Sequence, residues 1–364
     1  MTDDVGRVIT VDGLVDPDDL GVTLPHEHVF VNTADAWYQP PDSAPERRMA
    51  EEPLSIEHLG FVSRNLYSHR DNMRLDSVET QTEEVTRFLR AGGSTIVDLT
   101  PKNIGGDPAQ VRGVARETGL QFVHGTGYYT ESVHPDSLAD RSDEAIEAEF
   151  VDDVRTGIDD TGVRAGIVGE IGVSGRIHDA EERVLRAGAR AARRTGVALN
   201  VHTPGRTPYS QKDRTYPPSR WALELLDIVE EEGLPPERVV MSHLDRTIYE
   251  DLSYQKELAE RGAYVEYDLW GLEAYLEEYN DGLPSDIRRM EWATELIDAG
   301  YADRLLFSQD TWSKMQLRRY GGYGYAHVLE DVVPMLRANG VTDDQLDAIL
   351  VENPRRVLTV AEPA

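Results

Sequence analysis

The stretch Leu24-Pro25-His26-Glu27-His28 sets two histidines at i and i+2. In an extended strand alternate side chains point to one face. Both imidazoles can therefore aim at a single point, as two ligands of one metal ion must. Alone, the pair fits a half-buried polar strand end just as well, because short motifs recur by chance. What decides between the two is whether the rest of the chain supplies the missing ligands.

Working outward, residues 30–76 form a long connection rich in polar and aromatic residues, among them Trp37-Tyr38-Gln39-Pro40-Pro41. Ser77 then suits the cap of a helix carried by residues 80–90 and stopped at Gly92-Gly93. Short, β-branched, apolar strands follow at 94–100, 121–127, 164–171, 197–202, 238–243, 263–269 and 304–308. Helical patterns separate them at 111–118, 144–156, 180–195, 219–232, 251–261 and 287–299, and a last helical region runs from Tyr325 to the end. Counted from Val22 there are eight strands alternating with helices, which predicts an α/β fold of the (β/α)8 TIM-barrel type. An open doubly wound sheet is the alternative, but no Gly-rich dinucleotide fingerprint follows the first strand. The simplest organisation is one domain over residues 1–364 with an insertion at about 30–76.

Composition narrows the chemistry. The chain has 364 residues and no cysteine, so disulfides and thiolate sites are excluded and any metal must be held by His, Asp and Glu. The 37 basic against 67 acidic residues leave a net charge of −30, which argues against nucleic acid or anionic membranes as partners. No apolar run of about twenty residues is present, and no basic leader precedes an apolar stretch, so a cytoplasmic protein acting on a small molecule is expected. Lys102, Lys212, Lys256 and Lys314 are the only lysines; an acidic chain with Arg favoured over Lys suggests adaptation to high salt.

In such barrels chemistry sits at the C-terminal ends of the strands. Reading those ends gives His26 and His28 after the first strand and Glu170 after the fourth. His202 follows the fifth, His243 the sixth, and Asp310 comes just past the eighth. Scattered histidines would not share one end of five strands. Six ligands exceed the three protein ligands of a single catalytic zinc. They suit two divalent ions about 3.5–4 Å apart, with Glu170 bridging and a shared water acidified between them. Asp310 can also take a proton from that water.

The chain resembles the phosphotriesterase-like family of the amidohydrolase superfamily, including the phosphotriesterase homology proteins. The resemblance spans nearly the whole sequence. It rests on Gly21 to His28, Val97-Asp98-Leu99-Thr100-Pro101, Gly169-Glu170-Ile171-Gly172, Val201-His202-Thr203 and Ser242-His243-Leu244-Asp245-Arg246, with Phe307-Ser308-Gln309-Asp310 and Glu352-Asn353-Pro354-Arg355-Arg356 toward the end. It implies a binuclear centre, His26, His28 and Asp310 holding the inner ion and His202 and His243 the outer one. The bridging position, often a carboxylated lysine in the family, is here Glu170. That departure makes the family name a poor guide to substrate. Zinc is the expected metal, with Mn, Co or Fe also suited to the N/O ligands, and a homodimer is expected from the resemblance.

The leading expectation is hydrolysis of a lactone or carboxyl ester, an anionic substrate included, by a hydroxide held between the ions. Hydrolysis of a phosphotriester or an N-acyl amide by the same centre is the alternative. A non-catalytic metal-binding barrel is disfavoured by the presence of Asp310. Arg246, three residues past His243, is expected to bind an anionic group, with Tyr128 and Trp270 walling the pocket. Lys102, Arg206, Lys212 and Arg214 read as surface cations. His58, His69, His134 and His178 read as exposed, His124 as core or as a support for the ligands, and His327 as a packing residue. Glu27, between two ligands, should point away from them toward a supporting partner.

Overall fold

The computed structural model describes residues 4–175, 177–204, 218–246, 251–276 and 281–364. Eight parallel strands follow one another round a barrel: β1 (Thr23–Glu27), β2 (Thr95–Asp98), β3 (Gln121–Thr126), β4 (Ile167–Gly172), β5 (Ala198–His202), β6 (Val239–Ser242), β7 (Tyr264–Tyr267) and β8 (Leu305–Phe307). Each pairs with the next. Side chain and backbone close the gap between β8 and β1. The His26 N–H donates to Ser308 Oγ at 3.1 Å, and the Asp310 N–H donates to the His26 carbonyl at 3.2 Å. The (β/α)8 barrel expected from the alternation is thus the fold.

The strands are buried on both faces, so they read as continuous apolar runs instead of alternating ones. One face fills the barrel, with Val97, Val123, Ile167, Val240, Tyr264 and Leu306 in a single cluster. The other face packs on helices α1 (Val78–Arg90), α2 (Pro108–Thr118), α3 (Asp143–Arg155), α4 (Asp179–Thr195), α5 (Pro218–Glu231), α6 (Ser253–Arg261) and α7 (Asp286–Asp298). Ser77 caps α1 as its sequence suggests, its hydroxyl accepting from the Thr80 N–H at 3.2 Å. Gly196 ends α4 at φ 82°, and a Cβ there would meet the Ala361 carbonyl oxygen at 2.1 Å. The chain needs glycine at that point both for the turn and for the close approach of its own C-terminal segment. The last helical region ends at Leu358 in the segment Asn353–Leu358, and the chain beyond it is irregular.

At the floor of the barrel an antiparallel hairpin, Val8–Thr10 with Gly13–Val15, covers the interior cluster; the Val11 N–H donates to the Phe122 carbonyl. At the opposite end the long connection after β1 is an ordered excursion. Val31–Asn32 pairs antiparallel with Arg74–Leu75, so its two ends are clamped together. Its far side is tied to the segment after β8. Asp71 pairs with Lys314 at 2.6 Å, and Asn72 Oδ1 accepts from the Met315 N–H at 2.9 Å.

Candidate metal centre

β1 delivers the first histidines with an irregularity. Thr23 and Leu24 pair with Thr95 and Ile96, but the next pairing is Glu27 with Asp98, a register shift around Pro25. Proline has no N–H to give to a ladder. His26 lies in the strand and His28 one residue past its end, and both are buried.

Three of the four imidazoles, those of His26, His28 and His243, are held from outside by one nitrogen and turn the other toward a common point. His26 Nδ1 lies 3.0 Å from Glu266 Oε2 and 3.1 Å from Asp268 Oδ2, while its Nε2 lies 3.6 Å from Glu170 Oε1. His28 Nδ1 lies 2.9 Å from Thr100 Oγ1, with Nε2 3.0 Å from Asp310 Oδ1. His243 Nδ1 contacts Asp268 Oδ1 at 2.8 Å and its Nε2 contacts Glu170 Oε1 at 2.9 Å. His202 presents Nδ1 to Glu170 Oε1 at 2.6 Å. One nitrogen anchored to a carboxylate or hydroxyl and the other turned inward is the arrangement that metal-binding histidines adopt.

All six side chains singled out at the strand ends therefore converge. Ligand atoms of His26, His28 and Asp310 form one group within 4.8 Å of one another; Glu170, His202 and His243 form a second, and His26, His243 and Asp268 a third. The residues fit a divalent cation by an independent observation. His26 Nε2 and Glu170 Oε2 are buried with no hydrogen-bond partner, and His202 Nδ1 and His243 Nε2 approach to 2.8 Å beside the same carboxylate oxygen. Buried polar atoms without partners are costly, and a cation shared by these atoms would remove that cost. The set is entirely nitrogen and oxygen, which suits zinc, manganese, cobalt or iron.

Electrostatics point the same way. Burial pulls His202 down to about 4, so it is neutral at pH 7. Burial also pulls on His243, but the neighbouring Asp268 charge outweighs it and raises His243 to about 9. His26 is raised well above its ordinary value, its own burial overcome by Asp268 and Glu170. Burial would raise Glu170, yet the surrounding imidazoles, His202 and His26 foremost, hold it well below the usual carboxylate range. The shifts of His26 and His243 favour their protonated forms, and a cation binding through these imidazoles must displace those protons. Loading the metal-free protein at pH 7 is expected to release about two protons per chain. Titration calorimetry in buffers of different ionisation enthalpy measures this, and an enthalpy independent of buffer would contradict it.

Backbone strain is concentrated here too. Of the three non-glycine residues at positive φ among those described, two are His243 (φ 60°) and Asp310 (φ 46°). Such conformations cost of order 1–3 kcal/mol and persist where the surroundings over-determine them. For Asp310 the clasp is visible. Glu27 turns away from the cluster, as expected of a residue between two ligands, and accepts from Ser308 Oγ at 2.7 Å and the Gln309 and Thr311 N–H groups at 2.8 and 2.9 Å. Gln316 Nε2 donates to the Asp310 carbonyl at 2.8 Å.

The supports on β7 were missed in the sequence. Asp268 stands one residue past β7, in the register that flagged the other strand ends, but a strand drawn to Leu269 hides it. Glu266 lies inside β7 and also accepts from Ser242 Oγ at 2.7 Å and Asn200 Nδ2 at 3.1 Å. Asp268→Asn is expected to weaken metal affinity about 10–100-fold, the usual effect of losing an outer partner, because it loosens His26 and His243 together. Chelator competition measures this, and unchanged affinity would remove Asp268 from the account.

A cavity of ≈ 520 Å³ opens over the cluster, reached by His28, Glu170, His202 and Asp310. Arg246 is half-buried in its wall. Tyr128 and Trp270 are not there. Tyr128 follows Thr126 on the face turned to the helices, where Thr126 bonds Asp153; the Tyr128 hydroxyl donates to Glu149 at 3.0 Å. Tyr129, one residue on, faces the cavity instead, its hydroxyl 3.1 Å from His202 Nδ1. Trp270 is 1% exposed and packs edge-on against Phe307. Lys102 pairs with Glu149 outside the cavity, and Arg206, Lys212 and Arg214 lie outside the described residues.

The remaining histidines correct one expectation. His69 is fully buried and its Nε2 lies 3.2 Å from Nδ1 of the half-buried His58. Both belong to the ordered excursion after β1, which a loop reading of that segment does not anticipate. His134 is half-buried against the Tyr129 carbonyl, while His178 is exposed and pairs with Glu131. His124 is buried in β3, and His327 packs between Asp286 and Asp331.

The model of the phosphotriesterase family matches residues 6–358. N-acetyltaurine hydrolase of Danio rerio is 37% identical over 357 residues, covering 97% of this chain and 98% of that protein. The structure of a resiniferatoxin-binding protein from Rhodobacter sphaeroides superposes with a TM-score of 0.91 at 39% identity, over 97% of this chain and 95% of the other. A PTE-like lactonase of Deinococcus radiodurans gives a TM-score of 0.74 at 28% identity, over 96% and 99%. With its barrel, its strand-end cluster and a family match over nearly its whole length, this chain belongs to the phosphotriesterase family.

Proposed function

We propose that this protein is a metal-dependent amidohydrolase that cleaves N-acyl amides of small anionic amines, amino sulfonates such as taurine first among them. The observation that carries the reading is the 37% identity to an N-acetyltaurine hydrolase across 97% of the chain. The cavity agrees with it. Arg246 is the one Lys or Arg among its described lining residues, which puts a single guanidinium beside the cluster in a chain of net charge −30. A guanidinium fork suits a sulfonate or carboxylate oxygen pair.

His26, His28 and Asp310 would hold one divalent ion, His202 and His243 a second, with Glu170 between them. Bound there, such ions would polarise the scissile carbonyl and acidify a water. The other tasks fall to side chains. Asp310, kept ionised by His28 and the nearby imidazoles against its own burial, accepts the proton of the attacking water. The carbonyl carbon gains a C–O bond and loses its C–N bond, and Asp310 passes the proton to the departing nitrogen. The second water proton leaves the new carboxyl group for the amine, so the products are a carboxylate and an ammonium. Arg246 holds the anionic end of the amine half, and Asp268, Glu266 and Thr100 keep the imidazoles in place.

Lactone or ester hydrolysis, favoured by the sequence alone, is the second reading, supported by the likeness to the Deinococcus lactonase. One experiment separates the two. Metal content is quantified, and N-acetyltaurine, N-acetyl-β-alanine, a γ-lactone, an aryl ester and a phosphotriester are assayed side by side. Amine release from N-acetyltaurine with the highest kcat/KM supports the proposal. Full metal content with lactone turnover and no amine release transfers the assignment to the second reading.

A further inference from the structure

We propose that Arg289 is a positioning residue: its guanidinium fixes the segment that carries Arg246 and so sets the preference for anionic over neutral substrates. This rests on the reading above, in which Arg246 takes the anionic head. Arg289 stands on the first turn of α7, outside the barrel, yet it is fully buried. Arginine is almost never fully buried unless it is paired, and taking a charge out of water is repaid only where its geometry with its partners is good. Three partners share the guanidinium here. Nε lies 2.9 Å from Asp245 Oδ2, Nη1 donates to Asp286 Oδ1 at 3.1 Å, and Nη2 donates to the Leu272 carbonyl at 3.1 Å.

Those contacts join two segments that wall the cavity. Asp245 is fully buried and directly precedes Arg246, two residues past His243. Its Oδ2 also accepts from the Leu269 N–H at 3.0 Å, which ties the segment after β6 to the segment after β7. Asp286 Oδ1 accepts from the Gly271 N–H at 2.9 Å, so α7 grips the segment after β7 at two successive residues. Arg246, Leu269 and Leu272 all line the cavity. Arg289 Nε is out of line for a hydrogen bond despite its 2.9 Å approach, and Asp245 Oδ1 has no hydrogen-bond partner. A buried ion pair of that kind is a poor fastening for a fold, since packed apolar side chains of similar volume would serve as well. What it supplies is one defined place for the Asp245 carboxylate, and hence for the backbone that leads into Arg246. The Arg246 charge acts on His202, His243 and Tyr129, so it stands near the cluster. A guanidinium meeting an oxygen pair is geometrically exacting, and a misplacement of about 1 Å can cost about 10²-fold in rate.

The test uses two substrate pairs that differ in the anionic group: N-acetyltaurine against N-acetylethanolamine, and γ-lactones with and without a ring carboxylate. The ratio of kcat/KM within a pair is read on one metal-loaded preparation, so a change in metal content or in folded protein cancels. Arg289→Met is expected to lower the anionic-to-neutral ratio at least about tenfold, mostly through KM of the anionic member. Arg289→Lys keeps the charge but not the fork and should lower it at least about threefold. It carries the same measurement should the methionine variant fail to fold. In an Arg246→Met background either substitution should change the ratio by less than about twofold, because the residue it acts through is gone. A ratio unchanged by both substitutions overturns the positioning role, and so does an equal fall in the Arg246→Met background. An unmodified enzyme with no preference for the anionic member of either pair overturns it too. Turnover of the lactone pair alone overturns the amide reading, while a lactone ratio that drops in both Arg289 variants still sustains the positioning role.

Discussion

Asp310→Asn is expected to lower kcat by about 10²–10⁴-fold while metal content stays close to that of the unmodified protein. The substitution is close to isosteric, and it keeps one oxygen for a cation. What it removes is the capacity to accept a proton. It also spares the backbone. Asp310 sits at φ 46°, a left-handed conformation that asparagine tolerates as readily as aspartate and alanine does not. The clasp from Glu27 grips the neighbouring Ser308, Gln309 and Thr311, and Gln316 grips the Asp310 carbonyl, so neither depends on the side chain being replaced. Alanine at this position would confound lost chemistry with a strained loop. Elemental analysis and steady-state rates on the same sample decide the matter. A variant turning over at a near-normal rate would show that the proton goes elsewhere.

Glu170→Gln should act on assembly before it acts on rate. Glu170 is 1% exposed and reaches both halves of the cluster. Oε1 lies 2.6 Å from His202, 2.9 Å from His243 and 3.6 Å from His26, and Oε2 lies 3.9 Å from His28. Glutamine is neutral and replaces one of these oxygens with an N–H donor, which cannot ligate a cation and would point at imidazole nitrogens or at the ion itself. Loss of a ligand should exceed the 10–100-fold cost of losing an outer partner, so affinity is expected to fall by more than about 100-fold. Activity would fall with it at sub-saturating metal and return in part when metal is supplied in excess. Dialysis against a chelator of known strength, followed by elemental analysis, measures this. Full retention of metal by the variant would remove Glu170 from the bridging position.

Much of the candidate site was legible because the relevant pattern is local. A parallel barrel repeats strand, turn and helix at short range, and the last residue of each strand is marked by where its apolar run stops. His202 and His243 stand out for that reason, each directly at the end of a short strand, Val197-Ala198-Leu199-Asn200-Val201 and Val239-Val240-Met241-Ser242. Glu170 stands out because an acid in a buried apolar strand needs a partner. Asp268 has the same credentials but follows Tyr264-Val265-Glu266-Tyr267, where a glutamate inside the run and a leucine beyond it blur the strand's end. The two pocket aromatics went astray for a different reason. Past the end of a strand the alternation of faces no longer holds reliably, so Tyr128 and Tyr129 cannot be told apart by counting.

The sequence by itself determined the barrel, the end of it at which chemistry would lie, and the six side chains that converge there. Those follow from short apolar runs separated by helical patterns, and from where each run stops, which each segment carries on its own. Only the tertiary structure decided what orients and encloses them. Glu266 meets His26 across 240 residues of chain, Ser308 meets Glu27 across 281, and Lys314 meets Asp71 across 243. No local pattern encodes such meetings, because they arise when the barrel closes β8 against β1 and packs the excursion after β1 onto the segment after β8. The cavity's aromatic wall comes from that closure, and with it the groups positioned to choose a substrate.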